Sequence, residues 1–459
     1  MNGITQHSGD LAPPRVELDP RLAYRTAAGT TVLVDTTGGR LFRLNAGAGR
    51  ALDRIDRGER LTRPADRAFA LQLAKLGLAR DAAEQPPAAG GDGEIPRGGA
   101  GSGLLDRLNR WASEALVPLH AQMELSYRCE LRCRHCYLEG LPHRRGDELS
   151  LGERLRFLDE LAELGGLFLL LTGGEPFAHP DLGALYDAAR DRRFAVSLLT
   201  SGDGLDADLA RHMAARGLDA VQVSIYGARA ATHDALTRVG GSFDRALRAL
   251  VAFRDLGVRT RAGVTITREN AGELDALLAM LEAERIPAVP NLYIEPRRDG
   301  SRAPQGLGVD EATLRAALAR FAGDDRPRLA DRDLDDPPCG AGRDSLALDP
   351  YGGVTPCLSL RRRVGSIREA SLAEIWRGSP ALAELRALRV RDLVGCPDCP
   401  HRADCDRCAG FAAAEGAGLA GHADFDCLQA RLRAEARLRA EARLRAEARL
   451  RAGLRRGET

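Results

Sequence analysis

Three cysteines, Cys129, Cys133 and Cys136, fall within the run Cys-Glu-Leu-Arg-Cys-Arg-His-Cys-Tyr. A C-x3-C-x2-C spacing this tight puts three thiolates on one loop, so the fold must present that loop as a single coordinating face. Three thiolates can hold three irons of a four-iron cluster and leave the fourth without a protein ligand. A structural zinc site normally takes four protein ligands, so a triplet suits it less well. Ten cysteines in a chain with no export signal argue for metal binding over disulfides. Three lie at 129–136 and seven between Cys339 and Cys427, with none between the groups.

At 459 residues the chain is expected to hold two or three domains. The longest apolar run, near Leu167 to Leu171, is far short of the ~20 residues that span a bilayer. Residues 1–15 lack the layout of a signal peptide, so a cytoplasmic address without membrane contact is expected. Net charge is +1, and Lys75 is the lone lysine among 66 basic residues. Global charge therefore points to no particular partner.

From Met123 onward, apolar strand candidates alternate with helical patterns. The candidates are Met123–Tyr127, Leu167–Leu171, Ala195–Thr200, Ala220–Ile225, Thr260–Ile266 and Val289–Ile294. Helices such as Gly152–Leu164, Asp181–Arg190 and Phe243–Leu256 separate them. Six βα repeats with right-handed crossovers predict an α/β fold, a partial (β/α)6 TIM-like barrel. Such a barrel keeps its active site at the C-terminal ends of the strands. The triplet follows the first strand, on that face.

The flanking regions differ. Residues 16–80 read as a small winged-helix-like domain. Its β-like runs, Thr30–Val34 and Arg40–Leu44, flank Thr37-Gly38-Gly39, and helical patterns follow at Ala46–Ile55 and Pro64–Leu76. Residues 81–103, rich in Gly, Pro and Ala, read as a flexible linker. The barrel is expected over 120–325 and a cysteine-rich unit over 335–430. An Arg-rich tail over 431–459 is built on Ala-Arg-Leu-Arg-Ala-Glu, which occurs three times from Ala430 to Glu447. A six-residue step turns successive leucines to different helix faces, so the tail reads as a solvated, dispensable helix with Glu435/Arg439-type pairs.

Strand two ends in Leu171-Thr-Gly-Gly-Glu-Pro176. Gly-Gly turns are common, but this one follows the second strand of a repeat whose first strand leads into the triplet. Together they resemble the signature of the radical S-adenosylmethionine (SAM) enzymes, whose GGEP motif binds the methionyl amino group. The resemblance implies Gly173, Gly174 and Glu175 as cofactor contacts and Cys129, Cys133 and Cys136 as ligands of a SAM-binding 4Fe–4S cluster. Val221-Gln-Val-Ser-Ile-Tyr-Gly227 is similar to the family's fourth strand, which adds Ser224. Arg238 could pair with the SAM carboxylate, and Ser201 ends strand three. An ordinary strand-end polar residue is the equally open account of Ser201, Ser224 and Arg238. The implied chemistry is SAM cleavage to a 5′-deoxyadenosyl radical that takes hydrogen from the substrate, with the cofactor carrying the hard step.

The later cysteines run Cys339, Cys357, Cys396-x2-Cys399-x5-Cys405-x2-Cys408 and Cys427. Two zinc ribbons are one account. Behind the triplet, the order resembles the SPASM extension, which implies two auxiliary 4Fe–4S clusters. Cys396, Cys399, Cys405 and Cys427 would hold one, and Cys339, Cys357 and Cys408 the other. The family commonly places three residues between the penultimate pair, where this chain has Asp406 and Arg407. Seven thiolates leave one iron open or with another ligand.

Leu41-Phe-Arg-Leu-Asn45 entering a helix and Leu76-Gly-Leu78 ending one resemble the PqqD-like domain, a RiPP recognition element. It implies a leader peptide added as a strand to the sheet edge. Residues 21–80 hold 12 Lys+Arg and 5 Asp+Glu, which would favour an acidic leader. The same charge suits a DNA-binding winged helix. Taken together, the resemblance implies a radical SAM/SPASM peptide maturase of oxidoreductase type. It would act on a ribosomally made precursor peptide through a crosslink, thioether or other oxidative change, with a reductant such as flavodoxin or ferredoxin. A sulfatase-maturase-like enzyme is disfavoured because Leu358 follows Cys357 where those enzymes place aspartate. A porphyrin-pathway SPASM enzyme and a zinc-stabilised nucleic-acid binder are the remaining alternatives. No catalytic base or donor is legible.

Overall fold

The computed structural model describes residues 16–36, 39–81, 102–138, 147–321 and 333–439. The N-terminal unit comprises β1 (Val16–Leu18), β2 (Leu22–Ala27), β3 (Thr30–Asp35), β4 (Arg40–Leu44), α1 (Ala46–Asp56), α2 (Pro64–Lys75) and β5 (Ala79–Asp81). Strands β2, β3 and β4 form an antiparallel sheet in that order, and β1 pairs with β5. Strand β3 is buried along its length because alternate side chains serve two cores. Leu33 packs with Leu52, Ile55 and Leu73 of the helices, while Val32 and Val34 face the barrel with Leu119, Leu167 and Ala195. Asn45 starts α1 by accepting the Ala48 N–H at 2.8 Å.

Thr37, Gly38 and residues 82–101 of the expected linker lie outside the described residues. The linker's last two residues, Ser102 and Gly103, open a helix instead, α3 (Ser102–Ala115). Its Leu108 and Ala112 are buried beside Val32 and Val34. Apolar positions spaced four apart on one face outweigh the glycines around them.

The barrel follows: β6 (His120–Glu124), α4 (Leu151–Glu163), β7 (Phe168–Thr172), α5 (Leu182–Asp191), β8 (Ala195–Thr200), α6 (Ala207–Ala215), β9 (Ala220–Ser224), α7 (Ala230–Thr237), α8 (Ser242–Asp255), β10 (Arg259–Thr265), α9 (Leu274–Ala283) and β11 (Ala288–Asn291). Strands β6 to β11 pair in chain order, all parallel. Leu169, Leu171, Val196, Leu198, Val221 and Val223 point outward onto Phe157, Leu161, Tyr186 and Phe253 of the helices. The first strand lies three residues earlier than Met123–Tyr127. Its alternate residues His120, Gln122 and Glu124 break the apolar run and disguise the strand.

Helix α10 (Glu311–Arg320) leads to β12 (Ser345–Leu348), β13 (Gly353–Thr355) and β14 (Gly365–Ser366). These widen the sheet to nine strands, with β12 parallel to β6. They were not expected, being too short to show a period. Helices α11 (Leu372–Gly378), α12 (Pro380–Ala387) and α13 (Ala409–Ala414) follow. A last helix spans 424–439. The beginning of the tail is not a solvated appendage. Leu432 is 1% exposed, Arg437 pairs with Asp404 at 2.9 Å, and Glu435 pairs with Arg315. The expected Glu435–Arg439 pair is present at 3.6 Å. Residues 440–459 lie outside the described residues.

The N-terminal sheet docks at the N-terminal ends of the barrel strands. Tyr24 N–H donates to the Arg193 carbonyl at 3.2 Å, and the Arg25 guanidinium donates to the Gly166 and Arg192 carbonyls at 2.8 Å. Arg190 reaches back to the Pro20 carbonyl at 2.9 Å. The triplet lies at the other end. Among the described residues, no helix is long and apolar enough to cross a membrane.

Candidate active site

The triplet loop leaves β6 and is held against the end of α7. Arg132 and Arg134 N–H groups donate to the Thr237 and Leu236 carbonyls at 3.0 Å, and Cys136 N–H donates to the Cys133 carbonyl at 3.0 Å. Cys133 packs with Tyr226, Leu236, Ile294 and Leu307. None of the ten cysteines forms a disulfide. Burial pushes the Cys129 thiol up to about 12. A desolvated thiol of this kind gives up its proton when a cation takes its place.

Gly173 and Gly174 lie against the chain entering this loop. Gly173 has φ +127°, and a Cβ there would strike the Ser126 carbonyl; one on Gly174 would strike the Arg128 carbonyl. Only glycine allows both the angle and the approach. The N–H groups of Gly174 and Glu175 donate to those same carbonyls at 2.7 and 2.8 Å. What the turn can offer an ammonium group is therefore its own carbonyls.

Glu175 is 2% exposed. One carboxylate oxygen accepts from Thr200 Oγ1 at 2.6 Å and Phe177 N–H at 3.0 Å. The other accepts from Ser201 N–H at 2.8 Å and Ser201 Oγ at 2.5 Å. Burial pushes this carboxyl up, and the four donors hold it back. The structure thus joins Glu175 and Ser201 to each other, locking the ends of β7 and β8 together. Ser224 ends β9, half-buried, and Arg238 caps α7 with φ 58°, next to the Thr237 that anchors the triplet loop.

Two neighbours escaped the sequence reading. His135, inside the triplet, is half-buried, with its Nδ1 enclosed and lacking a hydrogen bond and its ring 4.6 Å from that of Tyr226. Tyr226 stacks in turn on His233 at 5.3 Å. A ring within the C-x3-C-x2-C run was the available signal.

The later cysteines form two groups. Cys396, Cys399, Cys405 and Cys427 line one cavity together with Arg402, Arg407, His422 and Asp426. Cys339 and Cys357 pack around Leu360 and Ala409, and Cys357 is within electrostatic reach of Cys408. Burial pushes the Cys357 and Cys405 thiols up to about 12 and Cys408 to about 11. Asp426 stands between the groups, accepting the Cys408 N–H at 2.8 Å. Arg407, in the short Cys405–Cys408 spacer, is buried and donates to the Leu419 and Gly421 carbonyls, so the missing residue is absorbed by a tight anchor. Among the described residues, no three His, Cys, Asp or Glu side chains are grouped as one bound ion needs. Four thiols lining one cavity are a donor set that a 4Fe–4S cube can take.

Family models agree with this layout. The radical SAM superfamily model matches residues 123–281, and an iron-sulfur cluster-binding domain, SPASM, matches 339–408. Mycofactocin maturase MftC of Mycobacterium ulcerans (strain Agy99) is 30% identical over 315 residues, 63% of this chain and 82% of that protein. The chain belongs to the radical SAM superfamily. Other relatives include PqqA peptide cyclase of Granulibacter bethesdensis, 28% identical over 59% of this chain and 76% of its own length. AdoMet-dependent heme synthase of Nitratidesulfovibrio vulgaris is 25% identical over 62% and 85%. Streptococcus suis SuiB bound to S-adenosylmethionine shares the fold, with TM-score 0.57 at 15% identity over 90% of this chain and 99% of that one. As a radical SAM/SPASM protein this chain takes SAM, a 4Fe–4S cluster and additional iron–sulfur clusters as cofactors.

Proposed function

We propose that this radical SAM protein oxidatively modifies a ribosomally made precursor peptide whose leader docks on its N-terminal unit. The observation that carries the reading is the open edge of β4. The β2 edge of that sheet faces the barrel, whereas β4 pairs only with β3 among the described residues. Its exposed residues are Arg40, which is ion-paired with Asp35 at 2.9 Å, and Arg43, with Leu41 and Phe42 half-buried between them. An edge of unpaired backbone groups beside the exposed Arg43 suits an extended acidic peptide. PqqA peptide cyclase, a relative by sequence, is named for a peptide substrate. SuiB, a relative by fold, has also been solved bound to precursor peptide SuiA.

In this reading Cys129, Cys133 and Cys136 hold the SAM-binding cluster. The Gly173–Gly174 carbonyls, Ser224 and Arg238 orient SAM, with Glu175 and Ser201 bracing that surface. The bound cofactors supply a 5′-deoxyadenosyl radical on reduction. Cys396, Cys399, Cys405 and Cys427 hold one auxiliary cluster, and Cys339, Cys357 and Cys408 the other. The heme-synthase relative supports a second reading, a porphyrin-type substrate, which leaves the β4 edge without a task.

The test is anaerobic incubation of iron-replete protein with SAM, dithionite and any small acidic peptide found encoded beside it. Loss of two hydrogens from the peptide is expected, along with leader binding that weakens with salt and on Arg43→Glu. SAM cleavage without leader binding, at any salt, would turn the assignment toward the second reading.

A further inference from the structure

Tyr137, the residue after the last triplet cysteine, lies between two arginines. The Arg361 guanidinium carbon is 4.5 Å from the Tyr137 ring centroid, and that of Arg298 is 5.6 Å away. Each arginine is ion-paired, Arg298 with Glu124 at 2.5 Å and Arg361 with Glu295. Tyr137 Oη donates to Glu124 at 3.2 Å, and Arg298 N–H donates to the Tyr137 carbonyl at 3.0 Å. The Ser359 hydroxyl adds a bond to Glu295 at 3.4 Å. Two guanidiniums thus face two carboxylates, and no member is exposed.

The chain origins of these groups carry the inference. Glu124 ends β6, and Tyr137 belongs to the triplet loop. Glu295 and Arg298 lie beyond β11, and Ser359 and Arg361 sit in the loop that starts at Cys357. That loop has further ties, Leu358 N–H to Gln122 Oε1 at 2.9 Å and the Arg361 guanidinium to the Pro296 carbonyl at 3.5 Å. A guanidinium stacked on a ring while paired with a carboxylate fixes orientation as well as distance, since both groups are planar. Away from water such contacts are stronger than at a surface.

We propose that the Tyr137–Arg361 stack is a positioning strut that fixes the Cys339/Cys357/Cys408 site relative to the triplet, so that the two iron–sulfur sites move as one body. Tyr137 and Arg361 are positioning residues, acting through the loops that carry the cysteines. Neither Tyr137 nor Arg361 is among the groups assigned to the SAM surface or the leader edge, so the proposal stands whatever the substrate is.

Two readouts test it. In reconstituted, dithionite-reduced holoenzyme, pulsed EPR relaxation enhancement reports the spread of separations between the sites. In the metal-free chain, hydrogen exchange of residues 357–362 reports how firmly the loop is held. Arg361→Met is expected to keep SAM-dependent 5′-deoxyadenosine formation while broadening the separations and raising exchange by about tenfold or more. Tyr137→Leu should do the same, and Tyr137→Phe, which keeps the ring, should match wild type. Should Arg361→Met fail to load iron, the Tyr137 pair still decides through exchange. Wild-type values for Tyr137→Leu would overturn the strut, and so would a Tyr137→Phe variant as loose as Tyr137→Leu.

Discussion

Replacing Glu175 by glutamine changes one oxygen to an NH2 and little else in shape. The carboxylate accepts two hydrogen bonds on each oxygen, from Thr200 Oγ1 and Phe177 N–H on one and from Ser201 N–H and Oγ on the other. Whichever oxygen the amide replaces, its NH2 then faces a backbone N–H that can only donate. The hydroxyls can rotate, but the stranded backbone donor cannot. A buried donor left without an acceptor costs roughly 1–3 kcal/mol, and hydrogen bonds to a charge are worth about 1.5–3. The expected penalty is therefore about 3 kcal/mol at the β7–β8 junction. If SAM binding must restore that junction, affinity falls by up to about a hundredfold, at ~1.4 kcal/mol per factor of ten. Equilibrium dialysis of SAM against anaerobic, iron-replete protein measures this directly. Thr200→Val, which removes one hydroxyl, should cost about 1 kcal/mol. The two changes should also be non-additive, since they touch one network. A Glu175→Gln protein that binds SAM and melts like wild type would refute the brace. Strict additivity with Thr200→Val would do the same.

Other expectations follow from particular contacts. Fully reconstituted protein should hold roughly twelve irons, and Cys427→Ser about four fewer; bound zinc in place of the lost iron would contradict the cavity assignment. The contribution of two buried histidines to stability should decline as pH falls from about 6.5 toward 4, opposed by Asp426, whose carboxyl burial raises to about 6. His233 Nδ1 accepts the Tyr226 N–H at 3.0 Å and His179 Nδ1 accepts the Asp181 N–H at 3.2 Å, so burial holds both rings near 4. Only the unfolded chain then takes up their protons over that window, which removes at most about 1.4 kcal/mol per pH unit for each ring. A urea titration series should show the slope reduced by His233→Gln. Truncation after residue 439 should leave the melting temperature unchanged. Truncation after residue 429 should lower it, because Leu432 leaves the core at roughly 1.5–3 kcal/mol and buried Asp404 loses Arg437. Equal melting temperatures would return the tail to a dispensable appendage.

Much of the barrel was legible because outward strand residues such as Val196 and Leu198 alternate against long amphipathic helices. Periodicity survives where one face is apolar. It failed at β6, where the barrel-facing residues His120, Gln122 and Glu124 are polar, and at β12 to β14, which are too short to carry a period. Helix α3 was hidden by its glycine-rich surroundings, its stabilisation coming from tertiary contacts of Leu108 and Ala112. The tail misled for a related reason: one leucine in a rotating repeat suffices to dock a helix when an ion pair waits beside it. At the site, cysteine spacing marked the loops. Which way the Glu175 carboxylate turns depends on the neighbouring strand end, and one-dimensional order does not contain that. The Tyr137–Arg361 stack joins positions more than two hundred residues apart, so no local pattern announces it.

The docking of the N-terminal sheet beneath the barrel sets a ruler. Strand β7 runs for five residues from the docked end to the Gly173 turn, a rise of about 17 Å. A peptide held along β4 would need at least about five extended residues merely to match that height, at ~3.3–3.6 Å each, and more to pass around the helices. Under such an arrangement the tether, rather than the side chains flanking the reacting carbon, selects where along the peptide chemistry falls. Lengthening or shortening the segment between leader and target would then move the modified position without touching the enzyme.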